Sequence, residues 1–363
     1  MRAPSTELLE KTFAAGAVAL EWDLRGRDFA DTQLDGVRFL KCDLSNVNFR
    51  GARLSDISFI ECKLGAADFS GALCTKVTIL KSDCAAGDFR GATWGSGSLI
   101  KCNASACDFS ESRLDGVSLV KTDLTGANWK GALLHRSGMV KCQAVDGWLA
   151  GAQLKNAYFV ETDLTGVDWA DNTFHRTAFY KTTLDGASFA AMKFSHCTFQ
   201  ESSLRGCVFR GADLRGTMML GLALAGADFS SVTAPLARFD DCDLSATRWT
   251  DADLSAAGFD RACLDHACLD GANLSRARLR GADLTDASLQ DANCKDALFD
   301  HACLVRTDFS GAHCAGMRLH GALLRDEVRG LAWGVNAPPV DARLLESERY
   351  DPPALFSDLM ETR

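Results

Sequence analysis

The sequence of 363 residues predicts a solenoid, a chain wound into a four-sided tube, and three regularities carry that prediction. A large apolar residue returns at every fifth position from Leu24 to Leu324, through 61 consecutive register positions. A small residue stands two positions before most of them, in what we call the small slot. A second period of twenty separates Leu-rich from Phe-rich columns. Neither the 3.6-residue period of a helix nor the two-residue period of a strand produces this pattern.

Residues 1–20 are predicted to form an N-terminal capping helix. Ser5 or Thr6 can cap it, Glu7 lies in its first turn, and Leu9 and Phe13 share one face. A stack of repeats exposes an apolar end, so a cap is expected there. Glu10 and a short apolar run make the segment unlike a signal peptide, and no stretch reaches the length of a membrane span. We therefore expect a cytoplasmic protein that makes no membrane contact.

Residues 21–325 are predicted to form the solenoid, with four five-residue units in each coil. The four columns of large residues define four faces, and face 1 to face 4 begin with Leu24, Phe29, Leu34 and Phe39 in that order. Because like residues recur every twenty positions, like side chains stack on like from coil to coil. Pro235 follows Ala234, a small residue in the large register, and predicts a local bulge or bend.

Residues 326–363 leave the five-residue register and contain four of the six prolines. Their apolar residues can cover the last coil, so we predict a C-terminal cap or tail. A tail that contacts a partner, or a second copy of the chain in a homodimer, is the alternative use of the same segment.

The composition excludes several classes of protein. A net charge of -9 argues against direct nucleic-acid binding, because phosphate neutralisation needs a basic face. Twelve of the fifteen cysteines fall on inward register positions, where thiols pack as small apolar groups. Only Cys263, Cys268 and Cys303 are predicted to point outward. No CxxC pair and no zinc-finger spacing is present, so we expect neither disulfides nor a metal site.

No enzyme site is expected either. A filled, straight rod without loop insertions lacks the concave pocket in which catalytic groups converge. The seven histidines are scattered over the faces, and the glycines follow the five-residue pattern instead of forming a phosphate loop. We therefore predict no catalytic residues, no cofactor and no metal.

Face 4 carries the candidate partner-binding residues. The position after its large residue is apolar in eight successive coils, a set that we call the apolar column: Leu40, Ile60, Leu80, Ile100, Val120, Val140, Val160 and Tyr180. The next position, which we call the lysine column, holds Lys41, Glu61, Lys81, Lys101, Lys121, Lys141, Glu161, Lys181 and Glu201. Exposed apolar stripes of this size mark interaction sites, although β-branched ladders and lysines also stabilise and protect parallel sheets.

Face 2 carries an alternative site, the acidic column, which comprises Asp28, Asn48, Asp68, Asp88, Asp108, Asn128 and, beyond them, Asp168. Units such as Ala212-Asp213-Leu214 resemble those of the pentapeptide-repeat family, which includes members that mimic DNA with such acidic faces. The acidic column can equally serve the turns, because Asp and Asn side chains accept hydrogen bonds from nearby turn amides. Residues 1–200 have a net charge of only -1, so mimicry would need local charge.

The chain resembles the pentapeptide-repeat proteins, whose consensus is A(D/N)LXX. Matching units include Ala212-Asp213-Leu214, Ala272-Asn273-Leu274 and Ala282-Asp283-Leu284, each after a glycine. The resemblance implies an all-β fold, a right-handed quadrilateral parallel β-helix of about fifteen coils and roughly 70 Å.

The same resemblance implies a non-enzymatic scaffold or adaptor that binds another protein, similar to accessory, effector-loading components of bacterial type VI secretion systems. Relatives that mimic DNA bind type II topoisomerases such as gyrase, and a modulator that protects from drugs or toxins is the alternative. A secreted effector is a third possibility.

Overall fold

The computed structural model describes residues 3–324 and 328–331 and has the predicted fold, a parallel β-solenoid with one short helix. Helix α1 spans Thr6–Ala14, and its N-cap Ser5 accepts a hydrogen bond from the Leu8 amide. Leu9 is buried, and Phe13 packs edge-on against Phe29 and Phe39 of the first coils. The helix therefore covers the N-terminal end of the core. The predicted C-terminal cap lies almost entirely outside the described residues.

Two faces of the tube are sheets of three-residue strands. Face 4 has eleven strands, which are β1 (Val18–Leu20), β3 (Arg38–Leu40), β5 (Ser58–Ile60), β7 (Thr78–Leu80), β9 (Ser98–Ile100), β11 (Ser118–Val120), β13 (Gly138–Val140), β15 (Tyr158–Val160), β17 (Ala178–Tyr180), β19 (Thr198–Gln200) and β20 (Met218–Leu220). Face 3 has nine strands, which are β2 (Gln33–Asp35), β4 (Arg53–Ser55), β6 (Leu73–Thr75), β8 (Thr93–Gly95), β10 (Arg113–Asp115), β12 (Leu133–His135), β14 (Gln153–Lys155), β16 (Thr173–His175) and β18 (Lys193–Ser195).

The strands cover about ten turns, fewer than the fifteen or so coils predicted. Isolated parallel bridges join the coils on faces 1 and 2 and on all four faces after Leu220. On face 1 they run from Asp23 to Leu323 at a constant spacing of twenty residues. The bulge predicted at Pro235 is absent, because the bridges on either side of it keep this spacing.

Side chains of the five-residue register fill the interior. On face 2 the rings stack in line, with centroids 4.8 Å apart for Phe89 and Phe109 and 4.1 Å apart for Phe109 and Trp129. Eleven of the cysteines are buried, and no cysteine in the described residues forms a disulfide. Cys263, Cys268 and Cys303 are partly exposed as predicted. Cys314, predicted to be inward, is also partly exposed because it lies near the C-terminal end of the rod.

The backbone ladder is interrupted at one step, which we call the slit. Through the described residues, bridges or strand pairs join every coil to the next on faces 1, 3 and 4. Face 2 lacks the bridge between Asp168 and Ser188, although the coils below and above keep theirs. The opening has a volume of about 400 Å³, and Trp169 and Met192 lie in its wall.

Two buried polar atoms beside the slit lack a hydrogen-bond partner among the described residues. They are Trp169 Nε1 and Asn172 Nδ2. Two unusual residues in the small slot explain why the ladder is interrupted here. Asn172 puts a polar amide there, and Met192 puts a long side chain where most other coils of face 3 have Ala or Ser.

We expect the backbone amides at the slit to exchange hydrogen for deuterium faster than equivalent amides one coil away. The amides of Trp169 and Ser188 lack the bonds that their equivalents one coil away make: the Leu149 amide donates to Asp168 O at 3.0 Å, and the Val208 amide donates to Ala187 O at 3.1 Å. Open backbone groups exchange without prior unfolding, so a difference of at least about a hundredfold is expected. Native-state exchange followed by NMR measures it, and equal protection of the four amides would contradict the slit.

No helix among residues 3–324 and 328–331 has the length and apolar character to cross a membrane.

Candidate interaction surface on face 4

The eight residues of the apolar column lie side by side on the outer surface of face 4. Strand pairing puts Leu40 beside Ile60 and Ile60 beside Leu80, and the same register continues to Val160 beside Tyr180. All eight side chains are half-buried. Adjacent parallel strands lie about 4.8 Å apart, so the column is about 34 Å long. The predicted residues thus form one continuous surface ladder.

The apolar column has defined ends. After Tyr180 the next strand places Gln200 at the same position, and Gln200 is exposed. Beyond Leu220 the position becomes charged. Asp240 is buried and binds Arg238 at 2.7 Å, and Asp300 is buried and binds Arg318 at 3.0 Å. Face 4 therefore has an apolar half and an ion-paired half.

The lysine column forms a corner along one edge of the apolar column. Its nine residues are exposed, and their φ angles lie between 47° and 55°, in the left-handed region. Left-handed backbone costs an L-residue about 1 kcal/mol or more, and glycine avoids that cost. Face 4 thus carries long charged side chains at positions where glycine would be less strained.

Glutamates neutralise both ends of the lysine column but leave its centre charged. Glu61 lies 4.0 Å from Lys41 and 3.8 Å from Lys81, and Glu161 lies 3.1 Å from Lys141. Farther along, Lys181 pairs with Glu201 at 3.3 Å. Within the described part of the chain, Lys101 and Lys121 form no ion pair.

A shallow groove of about 430 Å³ lies at these two lysines. Lys101, Lys121 and Lys141 line it together with Asn103, Asp123 and neighbouring residues. Asp123 is the carboxylate in the groove, and its Oδ1 accepts bonds from the amide and hydroxyl of Thr125 at 2.9 and 2.7 Å. Lys141 is paired with Glu161, but the ammonium groups of Lys101 and Lys121 face only the engaged carboxylate of Asp123, so the groove is cationic.

The other edge of the apolar column is uncharged beyond Arg38, the first residue of β3. The first residues of the following strands include Ser58, Thr78, Ser98 and Ser118. The hydroxyl of Tyr158 reaches across Gly138 and lies 2.8 Å from Ser118 Oγ. The two edges of the column therefore differ in charge.

The acidic column of face 2 is largely engaged in its own turns. The carboxylates of Asp28, Asp68, Asp88 and Asp108 each accept a bond from the backbone amide two residues later, at 2.8 to 3.0 Å. Burial opposes ionisation of Asp88, but the hydrogen bonds and charge of Arg90 outweigh it, and the pKa of Asp88 is lowered. This is the turn-stabilising role that the sequence left open.

An exposed tryptophan interrupts the acidic column, and sequence reasoning missed it. Trp148 stands between Asn128 and Asp168 in the bridge ladder and is 60% exposed. It lies one position before the register residue Leu149, at an outward position of the acidic column. That position in the sequence could have indicated that the side chain is exposed.

One cluster of possible metal ligands occurs in the described residues. Nε2 of His266 lies 3.7 Å from Asp265 and 3.9 Å from Asp286. Arg306 already binds both oxygens of Asp286, at 2.7 and 2.5 Å. Because its carboxylate is engaged by that guanidinium, we assign no metal to the cluster.

Solved structures similar to this chain include other repeat proteins. QnrB1, a plasmid-mediated fluoroquinolone resistance protein, is 19% identical over 54% of this chain and 92% of its own, with a TM-score of 0.38. HetL of Nostoc sp. strain PCC 7120, a pentapeptide repeat protein involved in the regulation of heterocyst differentiation, is 22% identical over 88% of this chain and 95% of its own, with a TM-score of 0.17. These values support no argument about function.

No curated protein sequence matched the chain significantly. The sequence profile described as Pentapeptide repeats does match it, over residues 23–56, 98–137, 152–189, 193–230, 237–276, 277–313 and 289–326. These segments make up more than half of the chain and lie in the predicted solenoid. The protein therefore belongs to the pentapeptide repeat family.

Proposed function

We propose that the protein is a non-enzymatic scaffold that binds another protein through the apolar and lysine columns of face 4. Pentapeptide repeat proteins are generally structural or interaction proteins without catalytic activity. The observation that carries the proposal is the continuous ladder of eight half-buried apolar side chains. Its area is on the order of a few hundred Å², the size of surface patch that tends to mark an interaction site.

The arrangement of charge supports the same surface. If the apolar column only stabilised the sheet, it would not need positive charge along its edge. All lysines of the lysine column could then pair with glutamates. Here Lys41, Lys81 and Lys141 have such partners, and the two central lysines, Lys101 and Lys121, have none among residues 3–324 and 328–331. Unpaired charge beside an apolar stripe favours specific recognition, because complementary charges orient a partner and exclude others.

A modulator of topoisomerases is less well supported. The carboxylates of the acidic column bind their own turns, asparagines break the line of charge, and Trp148 interrupts it. Gyrase inhibition or protection at micromolar concentrations of this protein would favour that alternative over a scaffold.

Four more specific assignments go beyond the geometry of face 4. The accessory role in a type VI secretion system and the secreted effector rest on the resemblance, the cytoplasmic location rests on the N-terminal sequence and the lack of a membrane-length apolar stretch, and the homodimer through a terminal cap rests on residues 326–363. They stay predictions, and the genes that neighbour this one would be informative for the first two.

The proposal is tested by placing charge in the apolar column. The triple substitution Ile60→Asp, Ile100→Asp and Val140→Asp should abolish capture of the cognate protein in quantitative pull-downs, because it puts carboxylates into the contact surface. Leu73→Asp, Leu133→Asp and Thr173→Asp on face 3 form the matched control, which should retain capture. Unchanged capture by the face 4 variant would overturn the proposal.

A second variant guards against loss of structure. Thr is β-branched and favoured in strands, so replacing the same three residues with Thr preserves the sheet while it removes apolar area. Circular dichroism should show both face 4 variants folded, and the Thr variant should show weaker capture than the wild type.

A further inference from the structure

We propose that the partner of face 4 is an acidic amphipathic α-helix lying along the axis of the rod, with its acidic edge on the lysine column. This inference rests on the proposed function, and it names the partner's chemistry and orientation. Four properties of the surface lead to it: paired backbone, matching length, unpaired positive charge and edges of different charge.

The backbone of face 4 offers nothing to an added strand. Each strand from β3 to β19 pairs with a neighbour on both sides, so its N–H and C=O groups are used within the sheet. A peptide that extends a sheet needs a free edge with unpaired groups. Along the apolar column a partner must therefore bind through side chains, and an amphipathic helix presents an apolar stripe for such contact.

The length of the column suits a helix. The column runs about 34 Å along the rod axis, given about 4.8 Å between strands. A helix rises about 1.5 Å per residue, so about 22 residues, or six turns, cover the column. One apolar side chain or pair per turn would then meet the aliphatic groups from Leu40 to Tyr180.

The charge of the groove selects an acidic helix. Lys101 and Lys121 are exposed, lie in adjacent coils and have no carboxylate within ion-pairing distance among the described residues. Two adjacent ammonium groups repel one another, and a carboxylate placed between them relieves that repulsion. A helix with Asp or Glu midway along one edge supplies such a group.

The different edges of the apolar column fix how the helix lies. One edge carries the lysines, and the other carries neutral hydroxyls such as Ser98 and Ser118. A helix with acids on both flanks would leave one flank beside the hydroxyls without a counter-charge. The surface therefore fits a helix whose acids are confined to one flank and whose other flank is neutral and polar.

The test uses two synthetic 22-residue peptides with the full chain. Both have a leucine stripe at helical spacing and a serine flank, and they differ only in having Glu or Lys on the other flank. Fluorescence anisotropy should show that the wild-type protein binds the Glu peptide at least about tenfold more tightly than the Lys peptide. Raising NaCl from about 0.05 to about 0.5 M should reduce that difference, because salt screens exposed charges.

Charge reversal at the groove provides the decisive comparison. Lys101→Glu with Lys121→Glu should reverse the preference between the two peptides. Lys130→Glu with Lys155→Glu makes the same change in net charge at exposed positions on faces 2 and 3, away from the column, and should leave the preference unchanged. A wild-type protein that binds neither peptide, or both equally, would overturn the acidic helix. The protein capture lost in the face 4 triple-Asp variant would then still support the scaffold, so the two proposals fail separately.

Discussion

Replacing Gly97 with Val is expected to destabilise the rod by about 3 kcal/mol, although Val occupies the same slot in both neighbouring coils. A Cβ atom at Gly97 would meet the indole of Trp94 and lie 2.6 Å from the carbonyl oxygen of Val77. Trp94 is buried, so its ring has no space into which to retreat. Chemical denaturation followed by far-ultraviolet circular dichroism measures the loss.

A compensating substitution checks the cause. Trp94→Leu combined with Gly97→Val recreates the pairing of Leu114 with Val117 in the next coil, and it should recover all but about 1 kcal/mol of the loss. If the double variant is as unstable as Gly97→Val alone, the clash with the indole is not the reason.

Replacing Phe229 with Ala is expected to cost about 3–5 kcal/mol of the free energy of unfolding. The Phe229 ring is fully buried and stacks between Phe209 and Trp249, with centroids 4.9 and 4.1 Å apart. Removing it leaves a cavity, and the stacked rings on both sides lose contact. Denaturant titration measures the change. Phe229→Leu, which keeps much of the volume, should cost clearly less, and equal losses for the two variants would contradict the cavity explanation.

Most of the fold could be predicted because each coil repeats the same solution. The five-residue register identified the residues that fill the core, and the twenty-residue period identified which of them stack. Helix α1 was predictable from Ser5, Leu9 and Phe13, because capping and i,i+4 contacts are local. The coincidence of Trp94 with Gly97 in one coil was also visible in the sequence as a large residue beside the smallest one.

The surface and the slit were less predictable, for different reasons. The apolar column followed from the register, but the Lys–Glu pairing depends on how long, flexible side chains settle between coils. These side-chain positions leave Lys101 and Lys121 as the lysines of the column that form no ion pair with a described residue. The slit depends on the combined effect of Asn172 and Met192 in the small slot. Each residue departs from the repeat. The sequence alone does not show whether the backbone keeps its bridge to the next coil at such a residue or loses it.

The slit affects how the rod unfolds. In a one-dimensional stack, a coil is stabilised by its own contacts and by coupling to its two neighbours. The missing bridge between Asp168 and Ser188 makes this the weakest coupling on face 2, so cooperativity divides there most easily. We therefore expect two folding units in series within one continuous tube. All eight residues of the apolar column lie in the coils before the slit, so the N-terminal unit can keep its surface while the C-terminal unit opens.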